Sequence, residues 1–98
     1  MSQRRPSSTV IYSQRLLSRL YSQFTSELFC DVRLIVGDRT FNVHRNVLSA
    51  ASIYFEAMFA GNLQESKSDT ITIHDISPLI LEKLLQFIYT GNTSLFVI

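Results

Sequence analysis

The sequence predicts an α+β domain, a cluster of helices set against a small sheet, and three patterns carry that prediction. Apolar residues recur at helical spacing from Tyr12 to Leu28. Two alternating runs flank the pair Gly37-Asp38, and a nearly continuous apolar stretch lies between Ser77 and Gly91. Helix, hairpin, two helices, strand and helix is therefore the expected order.

Met1 to Thr9 is polar, Ser-rich and contains Pro6, so residues 1–9 read as a flexible leader and residues 10–98 as one domain. In the first helix Leu16, Leu17, Leu20, Tyr21, Phe24 and Leu28 mark one apolar face. Its other face holds Ser13, Ser18, Ser22, Thr25 and Ser26, indifferent helix formers, so the helix needs something to pack on. Asp31 to Val36 alternates through Val32, Leu34 and Val36, and Thr40 to His44 alternates through Phe41 and Val43. Gly37 supplies the positive φ that a two-residue hairpin turn demands. Asn46 to Ala51 and Ser52 to Ala60 read as two short helices, the second presenting Tyr54, Phe55, Met58 and Phe59 before Gly61 as a C-cap. Asn62 to Asp69 is polar and loop-like, and Thr70 to Ile73 is a brief strand with Ile71 and Ile73 on one face. Ser77 and Pro78 open the last helix and Gly91 closes it. With Leu79, Ile80, Leu81, Leu84, Leu85, Phe87 and Ile88 inside it, this helix should be buried on most sides.

Composition narrows the function. The chain has 98 residues, 46% hydrophobic and 17% charged, and a net charge of +1. Such a charge creates no strong field for nucleic acid or an anionic membrane. No run is long enough to span a bilayer. Cys30 is the only cysteine, so no internal disulfide can form, and a cytoplasmic or nuclear setting is expected. The leader carries Arg4 and Arg5 but lacks the uninterrupted apolar core of a signal peptide. His44, His74 and Cys30 do not have the short spacing of a zinc site, and no Gly-rich phosphate loop or partnered nucleophile is visible. Neither a metal, a cofactor nor a catalytic site is expected. Cys30 should pack as a small apolar residue, with an oxidant-sensitive thiol as the alternative.

Phe29-Cys30-Asp31-Val32-Arg33-Leu34, then Phe41, then His44-Arg45-Asn46-Val47-Leu48-Ser49-Ala50-Ala51-Ser52 resemble the signature of the BTB/POZ domain. Tyr54-Phe55, Met58-Phe59 and Phe87-Ile88-Tyr89-Thr90-Gly91 follow in the order and spacing of that family. The long first helix makes the chain look like the BTB domain of kelch-like or BTB zinc-finger proteins. The resemblance implies a homodimer in which the first helix, Tyr12 to Glu27, crosses the two-fold axis. Leu16, Leu17, Leu20, Tyr21 and Phe24 would then form the interface. A broad apolar stripe on a weakly helical sequence agrees, since pairing would supply roughly 25 cal/mol per Å² of apolar area buried. The alternative is that this helix folds back onto its own domain.

Similarity to kelch-like adaptors also implies docking to the cullin-3 scaffold. Leu63-Gln64-Glu65 has the form of their loop motif, an apolar residue, any residue, then Glu. Leu63 would fill an apolar pocket and Glu65 would fix the loop or pair with a polar group, with Tyr89 and Tyr54 as flanking aromatics; the alternatives are a Leu63 tucked on its own domain and tyrosines buried for packing alone. Asp31 and Arg45 match the charged pair lining a pocket near the family's dimer interface. They are read as mainly structural, holding the first strand against the following helix, with a ligand-pocket role as the other option.

A full BTB domain is expected to continue past Tyr89-Thr90-Gly91 with another helical pair, so the domain is read as incomplete at its C-terminus, and apolar surface on the last helix should be left open. The expected function is a homodimerising interaction module, a cullin-3 substrate adaptor or a shortened form of one. Two alternatives stand beside it. One is a corepressor-recruiting module of the BTB zinc-finger type, and the other is a short form that acts by heterodimerising with related BTB proteins.

Overall fold

The computed structural model describes residues 5–61 and 68–92, and each stretch of periodic sequence within them takes the element it predicts. Helix α1 spans Ser8–Thr25. It begins earlier than the apolar pattern suggests because Ser7 caps it, its Oγ accepting from the Val10 N–H at 3.2 Å. Ser8 and Thr9, expected in the leader, are therefore helical. The helix also ends earlier. Glu27 N–H donates to the Phe24 carbonyl at 3.2 Å and Leu28 N–H to the Gln23 carbonyl at 2.8 Å, with Glu27 at φ 57°. That is a Schellman closure built on a residue other than glycine. Leu28, expected inside the helix, lies beyond its end. Phe29, at φ 62°, is also left-handed, and two such residues within three positions cost about 1 kcal/mol or more each.

Strands β1 (Val32–Val36) and β2 (Arg39–Val43) form the antiparallel hairpin, in register from Val32 opposite Val43 to Val36 opposite Arg39. Gly37 takes φ 59° in the turn, as a two-residue connection requires. Strand β3 (Thr70–Thr72) pairs parallel to β1, giving the order β2-β1-β3. Alternation then sends Val32, Leu34, Val36, Phe41, Val43, Ile71 and Ile73 into the core.

Helices α2 (Arg45–Ala51) and α3 (Ile53–Ala60) follow the hairpin, and α4 (Pro78–Thr90) closes the domain. Ser77 caps α4 through the Ile80 N–H at 3.3 Å, Pro78 occupies the first turn, and Gly91 at φ 70° ends it. Gly61 stands at the C-cap of α3 as expected, but at φ −69° and ψ 161° it is extended and uses no left-handed conformation. Helix α4 is buried along one ridge, Leu81, Leu85, Ile88 and Tyr89, rather than on most sides. Leu79 and Ile80, off that ridge, are more than half exposed.

Candidate interaction site

Helix α1 is the first candidate surface, and it divides in two. Leu20, Tyr21 and Phe24 pack against the core of their own domain. Phe24 stacks face to face on Tyr89 of α4, with ring centroids 4.4 Å apart and planes 8° from parallel, and Tyr21 tilts onto Phe24 at 6.2 Å. Toward the N-terminus the stripe has no such cover. Leu16 is 45% exposed and Tyr12 65%, and Val10 and Ile11 are exposed beside them. Leu17 is half-buried and joins Tyr21 and Thr90 in lining an open groove of about 310 Å³ between α1 and the end of α4. The expected interface set is thus split. Leu16 stands free and Leu17 lies at the boundary, while Leu20, Tyr21 and Phe24 are already engaged. Val10 and Tyr12 extend the open part. Tyr12 opened the apolar stretch in the sequence without being singled out, and Val10 fell before it.

A buried polar cluster fixes how α1 meets the rest of the domain. The His44 backbone N–H donates to the Tyr89 hydroxyl oxygen at 3.0 Å, and the same oxygen lies 2.7 Å from His44 Nδ1. His44 Nε2 lies 2.7 Å from the Leu28 carbonyl oxygen, which can only accept. The hydrogen therefore sits on Nε2, and in the neutral ring Nδ1 accepts from the Tyr89 O–H, an assignment made from these partners. Every polar atom in the cluster is satisfied. It joins the end of α1, the start of α2 and the end of α4 through residues as far as 45 positions apart. Burial pushes the Tyr89 hydroxyl well above the usual tyrosine range, against a lowering hydrogen bond from the His44 backbone. Nothing in the local sequence at either residue announces this pairing.

Cys30 sits at the edge of the same cluster, with Sγ 3.7 Å from His44 Nε2 and 3.9 Å from the Leu28 carbonyl. Burial first, then the charges of Glu27 and Asp31, push its thiol up, which disfavours the thiolate that nucleophilic or redox chemistry needs. Among the described residues no group of three or more His, Cys, Asp or Glu is placed to hold a metal ion.

The pair Asp31 and Arg45 meets through a backbone group. Asp31 Oδ1 accepts from the Arg45 N–H at 2.8 Å. That N–H opens α2, whose own N-cap position, His44, makes no side-chain capping bond, so Asp31 caps the helix from the neighbouring strand end. The Arg45 guanidinium donates to the Ser68 carbonyl and lies over the Phe59 ring, 5.4 Å from its centroid. Asp31 lines an open pocket with Cys30, Arg33 and Asp69, whereas Arg45 is not among that pocket's described lining residues.

The second candidate surface is only partly in view. Leu63 and Glu65 lie outside the described residues. Tyr54 is 51% exposed next to Ile53, which is 85% exposed. Its ring lines an apolar pocket of about 270 Å³ shared with Ile73, Ile76 and Leu84, and burial, then Asp75, raises its hydroxyl above the usual range. Tyr89 is wholly buried and takes the packing role rather than presenting its ring as a flanking contact. No described helix is long and apolar enough to cross a membrane.

These features agree with the comparisons to known proteins. Residues 20–96 match the BTB/POZ domain family. The chain is 45% identical over 82 residues to Kelch-like protein 25 of Xenopus tropicalis, covering 83% of this chain and 14% of that protein. It is 42% identical over 90 residues to human Kelch-like protein 21, covering 91% of this chain and 15% of the relative. Among solved structures, the BTB domain of zebrafish PATZ1 superposes with a TM-score of 0.75 at 34% identity, over 93% of this chain and 71% of that one. The chain thus spans about a seventh of the length of the curated relatives it matches. A hairpin, a helical cluster and a half-covered first helix, matched over most of their length, make this chain a member of the BTB/POZ domain family, a protein–protein interaction module.

Proposed function

We propose that this chain is a homodimerising module that serves a cullin-3 ubiquitin ligase as a substrate-adaptor component of the kelch-like kind. The observation that carries the pairing is the exposed pair Tyr12 and Leu16, which at four-residue spacing continues the face that Leu20 and Phe24 bury at home. Exposed apolar residues arranged along one helix favour a self-complementary two-fold contact, the commonest form of homo-oligomer. The adaptor role is supported by the likeness to Kelch-like proteins 21 and 25 and by the Leu63-Gln64-Glu65 sequence. The exposed Tyr54 and Ile53 would supply further apolar contact, Leu63 the anchor, and Glu65 its polar partner. A cytoplasmic or nuclear setting suits the single unpaired thiol.

Sedimentation at micromolar concentration tests the pairing, and a strict monomer would remove it. Calorimetry with the N-terminal region of cullin-3 tests the docking. Binding that weakens at least about tenfold in Glu65→Ala is the expected result. Absence of heat with the unaltered chain would leave dimerisation alone.

A further inference from the structure

We propose that Ser7 is a phosphorylation site for a basophilic serine/threonine kinase, and that the phosphate reinforces the start of α1. The sequence reads Arg4-Arg5-Pro6-Ser7, two guanidinium groups three and two positions before a hydroxyl. This is the one pair of adjacent arginines in the chain, so no other serine or threonine has arginine at both positions. A kinase cleft with carboxylates at those two subsites would hold both side chains through charge-assisted bidentate hydrogen bonds. Such bonds fix register as well as affinity.

Local structure presents the hydroxyl. Arg5, Pro6 and Ser7 are exposed and lie outside regular secondary structure, and Ser7 is extended at φ −63° and ψ 160°. An extended backbone at the acceptor is what a peptide-binding cleft requires. The residues that follow, Ser8 to Ile11, are helical but exposed, so a kinase can unwind them without disturbing the core. Local opening is cheapest where few apolar contacts are lost. The Ser7 oxygen attacks the γ-phosphorus of ATP. A new O–P bond forms as the bond to the departing ADP oxygen breaks, and the hydroxyl proton passes to the kinase's carboxylate base.

The product suits the helix better than the substrate does. Helix α1 has no acidic residue in its first turn, so no side-chain negative charge there meets the positive end of the helix dipole. A phosphoserine brings roughly −1.5 to −2 charge and three acceptor oxygens. It would keep the capping contact that Ser7 Oγ already makes with Val10 and add acceptors for its neighbours.

The test uses the full chain, ATP and the catalytic subunit of cyclic-AMP-dependent protein kinase, with the site mapped by mass spectrometry. A single phosphoryl group on Ser7 is expected, retained in Ser8→Ala and lost in Ser7→Ala. Arg5→Ala should slow incorporation at least about tenfold. Modification elsewhere with Ser7 untouched, or a rate indifferent to the arginine, overturns the site. Amide hydrogen exchange at Val10 and Ile11 should slow several-fold on phosphorylation, and unchanged or faster exchange overturns the effect on the helix.

Discussion

The two halves of α1 carry the same kind of apolar stripe and meet different fates. Leu20 and Phe24 find cover on their own domain, with Phe24 stacked on Tyr89, whereas Tyr12 and Leu16 remain exposed on the same helix. Length is part of the cause. At 1.5 Å per residue α1 is about 27 Å long and α4, against which it packs, about 20 Å. Anchoring is the rest, since the Tyr89, His44 and Leu28 cluster grips only the C-terminal end of α1. Periodicity identifies an apolar face, and reach decides what covers it.

The anchored half can be broken most severely at Tyr89. Tyr89→Ala removes a wholly buried ring and should cost about 3–5 kcal/mol, much of a small domain's stability, and leave the chain largely unfolded. Tyr89→Phe keeps the ring and its stack on Phe24 but strands the His44 N–H, at a cost of about 1–3 kcal/mol by urea denaturation. A Phe variant as stable as the parent would show that the cluster anchors nothing. The hydroxyl also gives the anchor a pH signature. Its folded-state pKa is raised above the usual value of about 10, so its stabilisation is complete below that pH. Above it the unfolded chain releases the proton while the folded chain keeps it, so stability falls as pH rises. Tyr89→Phe should flatten that alkaline decline.

A smaller effect is expected where the anchored region meets the sheet. Asp31→Ala removes the cap on the first N–H of α2 and should cost about 1 kcal/mol, whereas Asp31→Asn keeps an acceptor oxygen and should cost less. The two variants separate a capping role from a charge-pairing one. Equal losses in thermal or urea melts would favour the charge.

What could be read in advance follows the same division between local and distant causes. Ser77, Pro78 and Gly91 bracket α4 through contacts within a few residues, and Gly37-Asp38 sets the hairpin by its own geometry, so these boundaries were legible. The end of α1 was not. Leu28 continues the apolar spacing, yet the helix closes on Glu27, a residue that gives no glycine signal. Gly61 marks the end of α3 as its signal suggests, yet does so in an extended conformation that any residue could adopt. At the candidate site, residue type marked Leu16, Tyr54 and Asp31, but the roles came from partners far along the chain. For Tyr89 residue type allowed either a contact aromatic or a buried one, and His44 and Phe24, distant in sequence, decide it.

The comparison is sharpest between two leucines four positions apart. Leu16→Ser and Leu20→Ser remove the same side chain from the same stripe of the same helix, so helix propensity changes equally in both. At a concentration low enough to favour the lone subunit, Leu20→Ser should lower the urea midpoint, because Leu20 packs on the core. Leu16→Ser should change folding stability by no more than about 0.5 kcal/mol, since that side chain is already half in water. At higher concentration the order of effects on assembly should reverse relative to those on folding. Leu16→Ser would then shift sedimentation toward the monomer while leaving the fold intact. If it left sedimentation unchanged, the open half of α1 would have to meet something other than a second copy of the chain.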